Sequence, residues 1–116
     1  YNGLSFHRVV PGFVIQTGAP YSKNKGDLKT GTGGSGKKLG AEINGRKHVR
    51  GTVAMARSRS LDSSDSQFYI SLGNYPHLDK EYTVIGQVID GGEKSGEKDT
   101  LDKITVGDDV VEMKLE

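Results

Sequence analysis

Apolar positions along the chain fall into short alternating runs separated by turn residues. Leu4, Phe6 and Val10 lie at even spacing, with Val9 between them, and Pro11-Gly12 is a turn signal. Phe13-Val14-Ile15-Gln16 predicts a strand. Gly51 to Ala56 predicts another, and Gln67 to Leu72, which alternates around aromatic and β-branched residues, is the clearest of all. Tyr82 to Ile89 predicts a further strand, and Val110 to Leu115 closes the chain as one. Residues 17–41 are rich in Gly, Lys, Ser and Thr and read as a long loop; Ser58 to Ser66 reads as a polar loop and Gly91 to Lys98 as a charged one. Thr100 to Ile104 has room for one helical turn. No stretch carries an amphipathic helix of useful length. Short strands with turns between them indicate a sandwich or a barrel.

Composition narrows the picture. The 116 residues allow one domain, and 17 glycines against 3 prolines fit many tight turns. A formal net charge of +1 gives no global pull toward nucleic acid or a membrane surface. With no cysteine, disulfides, thiolate metal sites and thiol catalysis are excluded. No apolar run approaches the roughly 18 residues of a membrane span.

Several motifs mislead. Gly31-Thr32-Gly33-Gly34-Ser35-Gly36 matches G-x-G-x-x-G, and Lys37 brings it near the P-loop pattern. Both need a buried strand before and a helix after, so that a helix N-terminus meets phosphate. Here the preceding residues are polar, no helical stripe follows, and Lys38 stands where Ser or Thr would hold magnesium. The stretch reads as a turn-rich loop. His7, His48 and His77 have no ligand spacing. Asp62 and Asp65 read as solvating a loop, with a carboxylate pair for acid–base work the remoter reading. Lys37, Lys38, Arg46, Lys47 and Arg50 read as a solvated face, since no aromatics interleave for base stacking.

Four blocks, in order, carry a resemblance. Phe6-His7-Arg8-Val9-Val10-Pro11-Gly12-Phe13-Val14-Ile15-Gln16-Thr17-Gly18 resembles the cyclophilin signature around its catalytic arginine. Gly51 to Arg57 resembles the segment lining the substrate groove, and Ser64 to Ile70 the strand supplying the pocket aromatic. His77-Leu78-Asp79-Lys80-Glu81-Tyr82-Thr83-Val84-Ile85-Gly86 is similar to the strand-loop-strand closing the pocket. The resemblance weakens from Thr100 onward.

The resemblance implies an all-β fold, an antiparallel cyclophilin-type barrel with short helical caps, forming a single domain over residues 1–116. It also implies an opening strand pair and a first helix ahead of Tyr1, so the chain is expected to be incomplete at its N-terminus and its last strand to lack a partner. The implied activity is peptidyl-prolyl cis/trans isomerisation, assisting protein folding. Arg8 matches the catalytic arginine, and Gln16 matches a residue that holds a carbonyl. Phe13, Val14, Tyr69 and Leu78 match the wall of the proline pocket; Ala56, Arg57 and Gln67 match groove residues. Tyr82 stands where many members have His, and His77 where cyclosporin-sensitive members have Trp. Val14 replaces a common Met and Tyr69 a common Phe.

The implied partners are proline-containing peptides and unfolded or folding proteins, with no nucleic acid, no membrane span and no cofactor, for a monomer. The cytoplasm is the favoured compartment, a removed signal segment upstream of Tyr1 being left open. Taken without the resemblance, Arg8 and Gln16 read as surface and edge polar residues, the four pocket side chains as core, and His7 as a structural hydrogen-bond partner. A rival function is a proline-peptide binding module on the same barrel, with turnover lost.

Overall fold

The computed structural model describes residues 1–24, 26–89 and 100–115. Five antiparallel strands make one sheet: β1 (Arg8–Val10), β2 (Val14–Thr17), β3 (Thr52–Met55), β4 (Phe68–Ser71) and β5 (Val84–Gln87), in the order β1-β2-β4-β3-β5. β2 to β5 each fall within or one residue beyond a predicted run, and β1 ends the evenly spaced apolar positions at Val10. β1 and β2 form a hairpin over Pro11-Gly12-Phe13, closed by Phe13 N–H donating to the Val10 carbonyl (2.9 Å), with Gly12 at φ +73°. Glycine is the residue that takes this left-handed position of a three-residue turn without strain. The sheet is open at β1 and β5 among the described residues.

Register divides the side chains between two faces, because neighbours alternate along a strand. Arg8 pairs with Gln16, Gln16 with Tyr69, Tyr69 with Ala54 and Ala54 with Val84. These five therefore form a row across one face. On that face Val14, Ala54 and Tyr69 are buried, with Phe13, Ala56, Leu78, Tyr82 and Val84 packed around them. The opposite face buries Ile15, Leu72 and Leu101 against Phe6, Val9, Ile70, Val88 and Ile104. Leu101 comes from α1 (Thr100–Lys103), the predicted helical turn. Arg50 ties that turn down, donating from Nη1 to the Leu72 carbonyl (2.8 Å) and from Nη2 to Asp102 Oδ2 (2.9 Å). Short 3-10 turns at Pro20–Lys23 and Pro76–Leu78 complete the regular structure among the described residues.

Two expectations change. Residues 110–115 are not a strand. Val110 N–H donates to the Leu4 carbonyl (2.7 Å), the Val110 carbonyl accepts Gly3 N–H (2.8 Å), and Met113 N–H donates to Asn2 Oδ1 (2.6 Å). These bonds reach a turn rather than a strand, so no ladder propagates, and Val111 and Leu115 stay exposed. The loop over 17–41 is not merely slack. Asp65 accepts from Ser35 N–H (2.6 Å), Ser35 Oγ (2.7 Å) and Gly36 N–H (3.1 Å), and Asp62 accepts from Ala41 N–H (2.8 Å). The two carboxylates strap the glycine-rich segment beside the sheet; they do not simply solvate their own loop. A Cβ on Gly34 would stand 2.5 Å from the Asp65 carboxylate carbon, which is why the segment needs glycine there. The loop expected over Gly91 to Lys98 lies outside the described residues.

Candidate functional site

A cavity of about 380 Å³ opens on the face that carries the Arg8–Gln16–Tyr69–Ala54 row. Its lining joins Arg8, Phe13, Val14, Gln16, Ala56, Arg57, Tyr69, Leu78 and Tyr82 with His7 and Gly31. The hairpin brings Arg8 and Gln16 together, β4 brings Tyr69 opposite Gln16, and the 3-10 turn at Pro76–Leu78 lowers Leu78 onto the same patch. One wall is cationic and polar, and the other is apolar and aromatic.

The polar wall is a chain of side-chain amides. Arg8 Nη1 lies 3.4 Å from Gln16 Oε1; Gln16 Nε2 donates to Gln67 Oε1 (2.9 Å); Gln67 Nε2 donates to the Gly31 carbonyl (3.1 Å). Gln16 keeps a second amide N–H beyond the one given to Gln67. Arg8 is exposed, so most of its guanidinium donors face open solvent at the cavity mouth.

The apolar wall is built on Tyr69, whose ring meets Tyr82 edge-on at 5.6 Å. Its hydroxyl points back into the protein and lies 2.7 Å from His48 Nε2. Burial, with Tyr82 alongside, pushes the Tyr69 hydroxyl's pKa well above its ordinary value, so it stays protonated. Arg57 stacks its guanidinium 4.7 Å from the Tyr82 ring centroid and donates from Nε and Nη2 to the Glu81 carbonyl (2.9 and 2.7 Å). Arg57 thus holds the Glu81–Tyr82 corner in place as well as lining the cavity.

Two expected residues sit outside this cavity. Gln67 lines an adjoining cleft of about 330 Å³ that shares Gln16, Gly31, Ala56 and Arg57. His77 is exposed and stacks on Phe13, with centroids 6.3 Å apart and planes at 17°. Conversely, His7 was read as structural, yet it lines the cavity, and its Nδ1 is buried with no hydrogen-bond partner among the described residues. Burial lowers its pKa; Gln67 opposes that and the Arg8 charge adds to it. Gly31 and His48 were given no place at the site. Gly31 lay in a stretch read only as flexible, and the signal that would have placed it is the Asp65 strap.

Comparison with known proteins places the chain in one family. The family described as cyclophilin type peptidyl-prolyl cis-trans isomerase/CLD matches residues 1–114. The chain is 44% identical over 112 residues to the "Probable peptidyl-prolyl cis-trans isomerase" of Brucella abortus (strain 2308), covering 92% of this chain and 54% of that protein. It is 44% identical over 110 residues to the "Peptidyl-prolyl cis-trans isomerase" of Helicobacter pylori (strain ATCC 700392 / 26695), covering 93% of this chain and 60% of that one. The chain thus spans little more than half the length of these relatives. A crystal structure of a Cryptosporidium parvum cyclophilin type peptidyl-prolyl cis-trans isomerase, in the presence of the dipeptide Ala-Pro, superposes with a TM-score of 0.72 at 31% identity, covering 95% of this chain and 69% of that one. With nearly its whole length matched and a row of cation, amide and aromatic facing one cavity, this chain belongs to the cyclophilin-type peptidyl-prolyl cis-trans isomerase family.

Proposed function

We propose that the chain catalyses rotation about Xaa-Pro peptide bonds in peptides and folding proteins, acting as a single isomerase domain. One observation carries the reading: a guanidinium and an amide face an apolar aromatic seat across one cavity.

Rotation is slow because the nitrogen lone pair is delocalised into the carbonyl, giving a barrier of roughly 18–20 kcal/mol. The two isomers of Xaa-Pro differ by only about 0.5–1 kcal/mol, so a catalyst must lower the barrier and leave the equilibrium alone. No bond is made or broken. Phe13, Val14, Tyr69 and Leu78 seat the pyrrolidine ring. Gln16 holds a carbonyl with its remaining N–H. In the twisted state the nitrogen turns pyramidal and its lone pair becomes an acceptor. Arg8, permanently charged and presenting a rigid fork of donors, bonds to it there and not in the planar ground state. Ala56, Arg57, Gln67 and Tyr82 line the path of the flanking peptide. His77, stacked on Phe13, acts at the rim.

The finer fold reading, closure of the sheet into a cyclophilin-type barrel, belongs to the same proposal. Family membership supports it, and closure would cover the two edges left open among the described residues, where Ile85 on β5 is 57% exposed. Hydrogen exchange tests closure, since β5 amides on the outer edge are protected only in a barrel.

The function is tested by titrating the protein with a Xaa-Pro tetrapeptide and its Xaa-Ala counterpart while following backbone resonances. The expected result is that Val14, Ala54 and Tyr69 shift with the proline peptide alone. Equal shifts with both peptides, or shifts elsewhere, would remove the proline seat from the account.

A further inference from the structure

The apolar wall rests on a buried hydrogen-bonded chain that the reaction itself does not use. His48 is fully buried. Its Nδ1 lies 3.1 Å from Asp79 Oδ1, and its Nε2 lies 2.7 Å from the Tyr69 hydroxyl. The same Asp79 oxygen accepts the His48 backbone N–H (2.6 Å), and the His48 carbonyl accepts Tyr75 N–H (2.9 Å). Asp79 ends the 3-10 turn at Pro76–Leu78. His48 is therefore held on both backbone sides by the turn that supplies Leu78, and through its ring by the strand that supplies Tyr69.

With the imidazole neutral, the donors and acceptors admit one arrangement. An ionised carboxylate only accepts, so His48 carries its proton on Nδ1 toward Asp79. Nε2 is then an acceptor, and the Tyr69 hydroxyl must donate to it. A carboxylate that fixes the tautomer and orientation of a histidine acting on a third group is a recurrent positioning device. Here the third group is an aromatic side chain whose ring is one wall of the seat, while Leu78, one residue before Asp79, is another.

We infer that His48 and Asp79 are positioning residues which, through the Tyr69 hydroxyl, set the separation between the Tyr69 and Leu78 walls and so tune the affinity of the seat for the proline ring. The inference rests on the proposed proline seat. It assigns a use to the tyrosine hydroxyl that a phenylalanine at the same place could not serve.

Two readouts on the intact protein test it. The first is the ¹⁵N spectrum of the His48 imidazole. A neutral ring protonated at Nδ1, together with a slowly exchanging Tyr69 hydroxyl proton that disappears in Tyr69→Phe, is expected; a ring protonated at Nε2 overturns the chain. This readout needs neither peptide nor turnover, so its failure is separable from failure of the isomerase reading. The second is a double-mutant cycle on proline-peptide affinity. His48→Phe should weaken binding by about threefold in the native background, the scale of one net hydrogen bond, and by far less in Tyr69→Phe. His48→Gln, which keeps a donor and an acceptor, should restore part of the loss. An equal loss in both backgrounds would show that His48 merely supports the fold. If His48→Phe does not fold, the imidazole spectrum decides alone.

Discussion

Replacing Arg8 by alanine separates a catalytic role from a structural one, because the surroundings of this side chain make the two effects differ greatly in size. Arg8 is exposed on the edge strand β1, and its bond to Gln16 is long, at 3.4 Å. Removing an exposed side chain of this kind changes stability by no more than about 0.5 kcal/mol. Affinity for a ground-state peptide should also move little, since the proposed seat is formed by Phe13, Val14, Tyr69 and Leu78, which line the cavity.

The transition state is another matter. A preorganised donor aimed at a charge that develops only there is worth about 3–4 kcal/mol, and each 1.36 kcal/mol is a factor of about ten in rate. Arg8→Ala should therefore lower kcat/KM by roughly a hundredfold to a thousandfold, while the melting temperature and the peptide Kd stay close to native. Arg8→Lys should recover little, because a point ammonium lacks the planar fork. The assay is magnetisation exchange between cis and trans proline resonances at several peptide concentrations, with Kd from titration and Tm from calorimetry. Rate and affinity falling together, or neither falling, would refute the assignment.

Three further outcomes are expected. Cyclosporin should bind weakly, because His77 offers a smaller ring than an indole with its donor elsewhere, and His77→Trp should tighten it; a native protein that binds as tightly as the variant, by calorimetric titration, contradicts this. Gly18→Ala should destabilise by more than about 2 kcal/mol in denaturant unfolding, since Gly18 sits at φ +96° and a Cβ would lie 2.4 Å from the Ser66 carbonyl oxygen; a near-native midpoint would show that the β2–β4 end can give way. Asp79 has its pKa lowered below 3.8, chiefly by the backbone N–H of His48, so on acidification the unfolded chain takes up this proton first. Its stabilising effect is present above about pH 3.8 and lost as pH falls through the lower folded value, so Asp79→Asn should flatten the decline of Tm in that range, and an unchanged slope refutes the linkage.

Much of the site was legible because it is local. Strand alternation around Val14–Thr17 and Phe68–Ser71 fixes which residues share a face, and the short hairpin sets Arg8 opposite Gln16. What escaped depends on distant partners. His48 has no telling neighbours in sequence; Asp79 and Tyr69, which give it meaning, are 31 and 21 residues away. The Asp65 strap likewise spans 30 residues, so the glycine-rich loop reads as slack until the carboxylate is seen in place. The run from Val110 to Leu115 has the composition of a strand, but composition supplies no partner, and its amides meet only the turn at Asn2–Leu4. His7 read as structural because its pattern on β1's approach says nothing of the cavity across the sheet.

The central claim is that this chain accelerates rotation and does not merely bind proline. Magnetisation-exchange spectra of a Xaa-Pro tetrapeptide, recorded with and without substoichiometric protein, measure this directly. The account predicts cis–trans exchange raised from its uncatalysed scale of tens to hundreds of seconds to seconds or faster, with the cis:trans ratio unchanged. Peptide resonances that shift on binding while their exchange rate stays at the uncatalysed value would contradict it and leave a binding module on the same sheet.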